Sequence, residues 1–221
     1  MEVGIIAPIK MLDKYCITEF QYCLPKLIVE SKKYRNFYSK HQNVFTIMDM
    51  RKMGWKKEPE DFGIVEKALS MVTPDLVILP SYMYELGRTL EVGRRFLEEF
   101  KPKHVAGCLE GTTYEEVEAC KDCLKEMGVG AFASPSHLYK TYKEDVQVYI
   151  ENHLHIKELG GLDGILVTSL PVRLGLLGRL VSDYLPSPPS LNFYEEENNF
   201  PLIVERNIKE VLTYYEERVE R

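Results

Sequence analysis

The chain has 221 residues, five cysteines and a formal net charge of −6. That length suits one α/β domain, and 45% hydrophobic with 28% charged residues is the balance of a globular protein, not of a disordered or fibrous one. No run of about 18 apolar residues occurs, so no membrane-spanning helix and no membrane partner are expected.

MEVGIIAPIK at the start has an acid second and only a short apolar run, which is not the layout of a secretory signal. With an odd cysteine count, this predicts reduced thiols and a cytoplasmic protein. Seven short apolar runs then read as strands: Val3–Ala7, Val44–Met48, Leu76–Leu79, His104–Cys108, Gly130–Ala133, Val146–Ile150 and Ile165–Thr168. They lack strict polar alternation, as strands buried on both faces of a parallel sheet do.

Helical patterns separate the strands. DFGIVEKALSMV sets Ile64, Ala68, Leu69 and Val72 along one face, and ELGRTLEVGRRFLEEF offers Leu86, Leu90, Phe96 and Leu97 for burial. TTYEEVEACKDCLKEMG begins with Thr113 three residues before Glu116, a capping-box spacing, and closes on Gly128. Cys120 and Cys123 share a face of that helix, and without a second CxxC or a histidine pair they read as structural. Residues 184–201 form a Pro/Ser/Asn-rich loop, and residues 202–221 a terminal amphipathic helix. Strand–helix alternation over residues 1–221 predicts a single α/β domain, a TIM-like (β/α) barrel with a reduced or irregular last unit, with a doubly wound sheet as the alternative.

Residues 26–57 carry nine Lys or Arg against Glu30 and Asp49, a local charge of +7 that leaves −13 for the rest. Such asymmetry marks either a phosphate-meeting surface or a solvated helix face. No GxGxxG follows the first strand and no GxxxxGK[ST] occurs, so no nucleotide cofactor is expected. His153 and His155 share a face if extended but have no evident third ligand, and no metal is expected.

Parallel α/β folds bind ligands at the C-terminal ends of their strands. That rule selects Asp49 after FTIM, Ser81 after VILP, Glu110 and Gly111 after HVAGCL, Ser134 after GAFA, and Ser169 through Arg173 after GILVT, with His137 close by. Each also has a plain structural reading. Asp49 suits a turn cap; Ser81 and Ser134 are routine turn or helix openers; Glu110 is a loop acid before a Thr-capped helix; Arg173 pairs with a surface acid.

In order along the chain, IIAP, TIMDMRKMGW, DLVILPS, VAGCLEGTTYEEVEACKDCLKEMGVGAFASP and GILVTSLPVR together resemble the tRNA-guanine transglycosylase superfamily, including its phage-associated DNA-modifying relatives. The resemblance implies a TIM barrel that exchanges guanine for a 7-deazaguanine base at a glycosidic bond in tRNA or DNA. It implies Asp49 as the acid that handles a proton near the exchanged base. Glu110 falls where a base-reading glutamine is usual, and Ser81 where a second base-reading aspartate is usual. Val167 stands where the nucleophilic aspartate would be, the glycine-rich turn after Asp49 is replaced by Met50, Arg51 and Lys52, and the C-terminal zinc cluster has no counterpart.

Three expectations follow. One is a transglycosylase-like enzyme in which Asp49 is general acid/base, Glu110 contacts the base or replaces the nucleophile, and Arg173 anchors an anion. Ser81, Gly111, Ser134 and Ser169 would line its substrate site, and Lys52, Lys56 and Lys57 would meet nucleic-acid phosphate. The second is a non-catalytic relative that binds nucleic acid or a partner subunit, with homo- or hetero-oligomers both open. A third is another TIM-barrel enzyme for a small phosphorylated substrate, because fold does not fix chemistry.

Overall fold

The computed structural model describes residues 2–6, 9, 12, 20–40, 45–50, 52, 58–133 and 165–169. They hold β1 (Glu2–Ile6), β2 (Phe20–Cys23), α1 (Pro25–Glu30), α2 (Lys32–Lys40), β3 (Phe45–Asp49) and α3 (Phe62–Met71). After these come β4 (Leu76–Ile78), α4 (Leu86–Phe100), β5 (Val105–Cys108), α5 (Tyr114–Glu126), β6 (Ala131–Ala133) and β7 (Ile165–Ser169). The strands form one parallel sheet in the order β6-β5-β4-β3-β2-β1-β7. Six strands follow chain order, and β7 returns to pair with β1, from Glu2 opposite Ile165 to Ile6 opposite Ser169.

Period-two alternation divides β2 to β6 between two faces. On one, Met48, Val77, Leu79, Leu109 and Phe132 meet Ile28 of α1, Tyr34, Phe37 and Tyr38 of α2, Val65 and Ala68 of α3, Phe96 of α4, and Cys120 and Leu124 of α5. Tyr22, Ile47, Leu76, Ile78, Ala106 and Cys108 form a separate buried cluster on the other, with Ala131 and Ala133 against it. All five described helices therefore pack on the same side of the sheet. Phe96 carries much of their core, fully buried with its ring 5.8 Å from Phe62 and 4.7 Å from Phe100; burying such a ring contributes about 1.5–3 kcal/mol.

Local chemistry sets the helix ends. Pro25 opens α1 where its missing N–H has no intrahelical role. Asp61 caps α3 by accepting from the Gly63 N–H at 2.9 Å, and Thr113 caps α5 by accepting from the Glu116 N–H at 3.2 Å. The capping box extends one residue further back: the Glu116 carboxylate accepts from the N–H and hydroxyl of Thr112, with the Thr113 N–H the smallest contributor. Those two bonds hold Glu116 below the usual carboxylate range, the hydroxyl contributing more. Gly128 follows α5 at φ 84°, a left-handed conformation that costs glycine little.

Several expectations need correction. β2 lies where no strand is predicted; FQYC is short and has a glutamine at its second position. Asp49 is the last residue of β3, and the cap of the next helix is Asp61. In α3 the buried residues are Val65 and Ala68, with Ile64 and Leu69 half-buried, so the inward stripe is rotated by about one residue. Thr89 and Gly93 of α4 are buried alongside Phe96, whereas Leu86, Leu90 and Leu97 only border the core. The strand expected at Val146–Ile150, the loop at 184–201 and the helix at 202–221 lie outside the described residues. No described helix is long and apolar enough to cross a membrane.

Burial also sets thiol chemistry. Desolvation pushes Cys120 up to about 11 from an ordinary 9.0, and Cys23 is raised by burial first and the neighbouring Asp49 charge second. Both folded thiols hold their protons more tightly than unfolded ones. Their contribution is thus complete below the ordinary thiol value and lost as pH rises towards the folded one. The free energy of unfolding from urea curves should fall as pH is raised from about 8 to about 11, by on the order of 1.4 kcal/mol for Cys120 for each unit between its two values. Cys120→Ala should flatten that slope, as denaturation curves across the range would show.

Candidate active site

At their C-terminal ends, the adjacent strands β3, β4 and β5 deliver Asp49, Ser81 and Glu110, exposed by only 1%, 4% and 1%. Asp49 stands opposite Ile78 in register. Alternation from Ile47 places it on the face away from the helices. Glu110 lies two residues beyond Cys108 of that same face, its Oε1 3.8 Å from the Cys108 Sγ. The backbones of β3 and β5 stand two strand spacings apart, roughly 10 Å, with β4 and Ser81 between them. An ionisable group buried this deeply persists only when hydrogen-bonded.

Glu110 has those bonds. Its Oε1 accepts from the Ser81 hydroxyl at 3.0 Å, and its Oε2 accepts from the Tyr84 N–H at 3.1 Å. The Ser81 Oγ also lies 3.2 Å from the Cys108 Sγ. Tyr84 is one of two non-glycine residues with positive φ among the described residues, at 65°. Just before it, Thr89 of α4 fixes the loop by accepting from the Tyr82 N–H at 2.9 Å and donating to the Tyr82 carbonyl at 3.1 Å. A carboxylate oxygen can accept more than one hydrogen bond, so a ligand donor can share these acceptors. The arrangement is a fixed carboxylate acceptor two strands away from a second buried carboxylate, at the end of the sheet where α/β proteins bind ligands.

Gly111 is buried beside Glu110, and geometry gives it a packing reason. A Cβ there would sit 2.9 Å from the Glu116 Cβ and the Val117 N, and 3.0 Å from the Glu116 carbonyl carbon. The strand end passes too close to the first turn of α5 for any side chain. A further buried acid, one that no sequence pattern singles out, is Glu60, exposed by 6%. Its N–H donates to the Met50 carbonyl at 2.7 Å, placing it beside the end of β3, and its Oε1 accepts from the Asp61 N–H at 3.1 Å. Only its position just before the Asp61 cap of a helical pattern hints at it.

The remaining expected residues fall elsewhere. Ser169 ends β7 opposite Ile6 in the backbone register, and Val167 stands opposite Gly4. Half-buried Lys52, just past β3, pairs with Glu58 at 3.3 Å. Lys56, Lys57, Ser134, His137, His153, His155 and Arg173 lie outside the described residues. The described basic residues of the segment are spread: Lys26 starts α1 near the strand C-termini, Lys40 ends α2 towards their N-termini, and Arg35 donates to the Ile28 and Val29 carbonyls at 3.0 and 3.2 Å. Tyr84, Cys108 and Thr89 are the site's unforeseen members. Among the described residues, no group of three or more His, Cys, Asp or Glu could hold a metal ion.

No family model matches the chain, and no curated protein matches it.

The close approach at Gly111 carries a measurable consequence. Gly111→Ala meets backbone and should cost about 1–3 kcal/mol of stability. Gly107→Ala meets chiefly the Leu124 Cδ1 at 2.7 Å, a side-chain end that can turn aside, and should cost less. Chemical denaturation of both variants ranks the two.

Proposed function

We propose that the sheet closes into a TIM-like (β/α) barrel and that the chain is a divergent transglycosylase of the tRNA-guanine type, handling guanine or 7-deazaguanine bases in tRNA or DNA. Barrel closure is supported by the sequential strand order, with β7 beside β1, and by the five helices on a single face; a doubly wound sheet covers both faces with helices. The functional reading is carried by one observation. Two buried carboxylates, Asp49 and Glu110, end strands on either side of β4.

Base exchange at a glycosidic bond needs a carboxylate against the anomeric carbon and a group that moves a proton on the departing base. Val167 can do neither. Glu110, held at both oxygens, suits a fixed acceptor for N–H groups on a base edge. Asp49 is then the carboxylate left for proton transfer or covalent attack, and Arg173 anchors an anion. Lys52, Lys56 and Lys57 contribute charge towards backbone phosphate. Val167 itself favours a second reading, a non-catalytic relative that keeps the barrel and binds nucleic acid or a partner subunit.

Incubation with labelled guanine or 7-deazaguanine and tRNA or DNA decides between them. Incorporation that falls at least about 100-fold in Asp49→Asn, with base binding retained, is expected of the enzyme. Binding without incorporation in the unaltered chain would displace it in favour of the second reading. For nucleic-acid contact, Lys56→Glu/Lys57→Glu should weaken binding across sequences and lower the slope of log affinity against log salt by about 1–2, readable by titration at several salt concentrations.

A further inference from the structure

Within the basic segment, α2 carries Lys32, Lys33, Arg35 and Lys40 and no acid. Three rings fix its inward face: Tyr34 is fully buried, and Phe37 and Tyr38 almost so. The Tyr34 and Tyr38 rings stand 4.7 Å apart, and those of Phe37 and Tyr38 5.0 Å apart. Arg35 is turned back onto the α1 carbonyls. Helical spacing then leaves Lys32, Asn36 and Lys40, at i, i+4 and i+8, along one outward stripe with Ser39 and Lys33 on its flanks. All five are exposed. Lys33 is engaged in an interaction of its own, whereas neither Lys32 nor Lys40 makes an ion pair among the described residues.

The chemistry of this face selects among partners. A helix that lies on a membrane pushes an apolar face beneath its charges, and the apolar face of α2 is taken up by the core. The centre of a protein interface is rich in aromatic residues and poor in lysine. A phosphate backbone asks only for positive charge on a firm support, to which the Asn36 amide adds a neutral donor. Position adds scale. α1 starts beside the strand C-termini and α2 ends towards their N-termini; with six and nine residues, they cover about 22 Å of helix. A ligand that reaches both the candidate site and Lys40 is therefore longer than one nucleotide, by about six steps of 3.4 Å along a strand.

We propose that the outward face of α2 docks the phosphate backbone of a nucleic acid, with Lys32 and Lys40 gripping it well outside the nucleotide at the strand ends. This rests on the nucleic-acid reading given above and extends it from the strand ends to the flank of the sheet. The contact is sequence-independent: it holds the polymer in register and leaves base recognition to the strand-end residues.

Fluorescence anisotropy of labelled tRNA and of a labelled DNA duplex of about 20 base pairs, titrated with the full chain at several salt concentrations, tests this. For whichever polymer binds, Lys32→Gln/Lys40→Gln should lower the slope of log affinity against log salt by about 1.4–1.8 and weaken binding at least about tenfold at about 50 mM salt. Lys32→Arg/Lys40→Arg should keep the slope. Lys103→Gln/Lys125→Gln removes the same charge from exposed positions elsewhere and should leave the slope unchanged. If the double α2 variant does not fold, each single variant should show about half the change. An unchanged slope in the α2 variants overturns the proposal. So does an equal fall with Lys103 and Lys125 replaced, which would make net charge the cause. Weaker binding of the α2 variant to anionic-lipid vesicles, with nucleic-acid binding intact, would overturn it in favour of a membrane surface. If the unaltered chain binds neither polymer at low salt, the nucleic-acid reading itself fails and takes this one with it.

Discussion

A carboxylate almost wholly withdrawn from water at the end of β5 must be hydrogen-bonded, and much of the local structure follows from that demand. Glu110 needs donors on the neighbouring strand end, and Ser81 supplies one from β4. The second comes from main chain, and obtaining it bends Tyr84 into a conformation its side chain disfavours. The same strand end then has to pass over the first turn of α5, which only the missing side chain of Gly111 permits. One buried charge thus organises two loops and the seating of a helix.

The sheet provides the platform. Its alternation sends large apolar residues towards the helices and a mix of small and branched residues, including Ala106, Cys108, Ala131 and Ala133, to the opposite side. Asp49 and Glu110 follow the same alternation as Ile47 and Cys108. What distinguishes the two acids from those apolar neighbours is their place at the strand ends, where the parallel sheet gathers its loops.

Much of this was legible in the sequence because it rests on local rules. Runs such as VFTIM and HVAGC announce buried strands, and the strand-end rule finds Asp49, Ser81 and Glu110 without any distance being known. The capping signal at Thr113 is local too, although its partner glutamate also reaches Thr112, one residue further back than the spacing implies. Other features were not legible because they arise from contacts distant in sequence. β2 hides behind Gln21 and is recognisable as a strand only through its pairing with β1 and β3. Nothing around Tyr84 foretells a positive φ, since the acceptor that favours it is 26 residues away. Gly111 reads as a loop residue until α5 is laid against it.

The carbonyl of Tyr22 bears on how the chain assembles. It accepts from two hydroxyls of α2, Tyr38 at 2.7 Å and Tyr34 at 3.4 Å, at sequence separations of only 16 and 12 residues. Closing loops that short costs little chain entropy, and contacts of low sequence separation form early in folding. β2, α1 and α2 therefore make a locally connected segment in which α2 bonds the backbone of a four-residue strand. The Tyr22 carbonyl thus ties the α2 helix to β2, whose Tyr22 and Cys23 also pair with Ile47 and Met48 of the central strand β3.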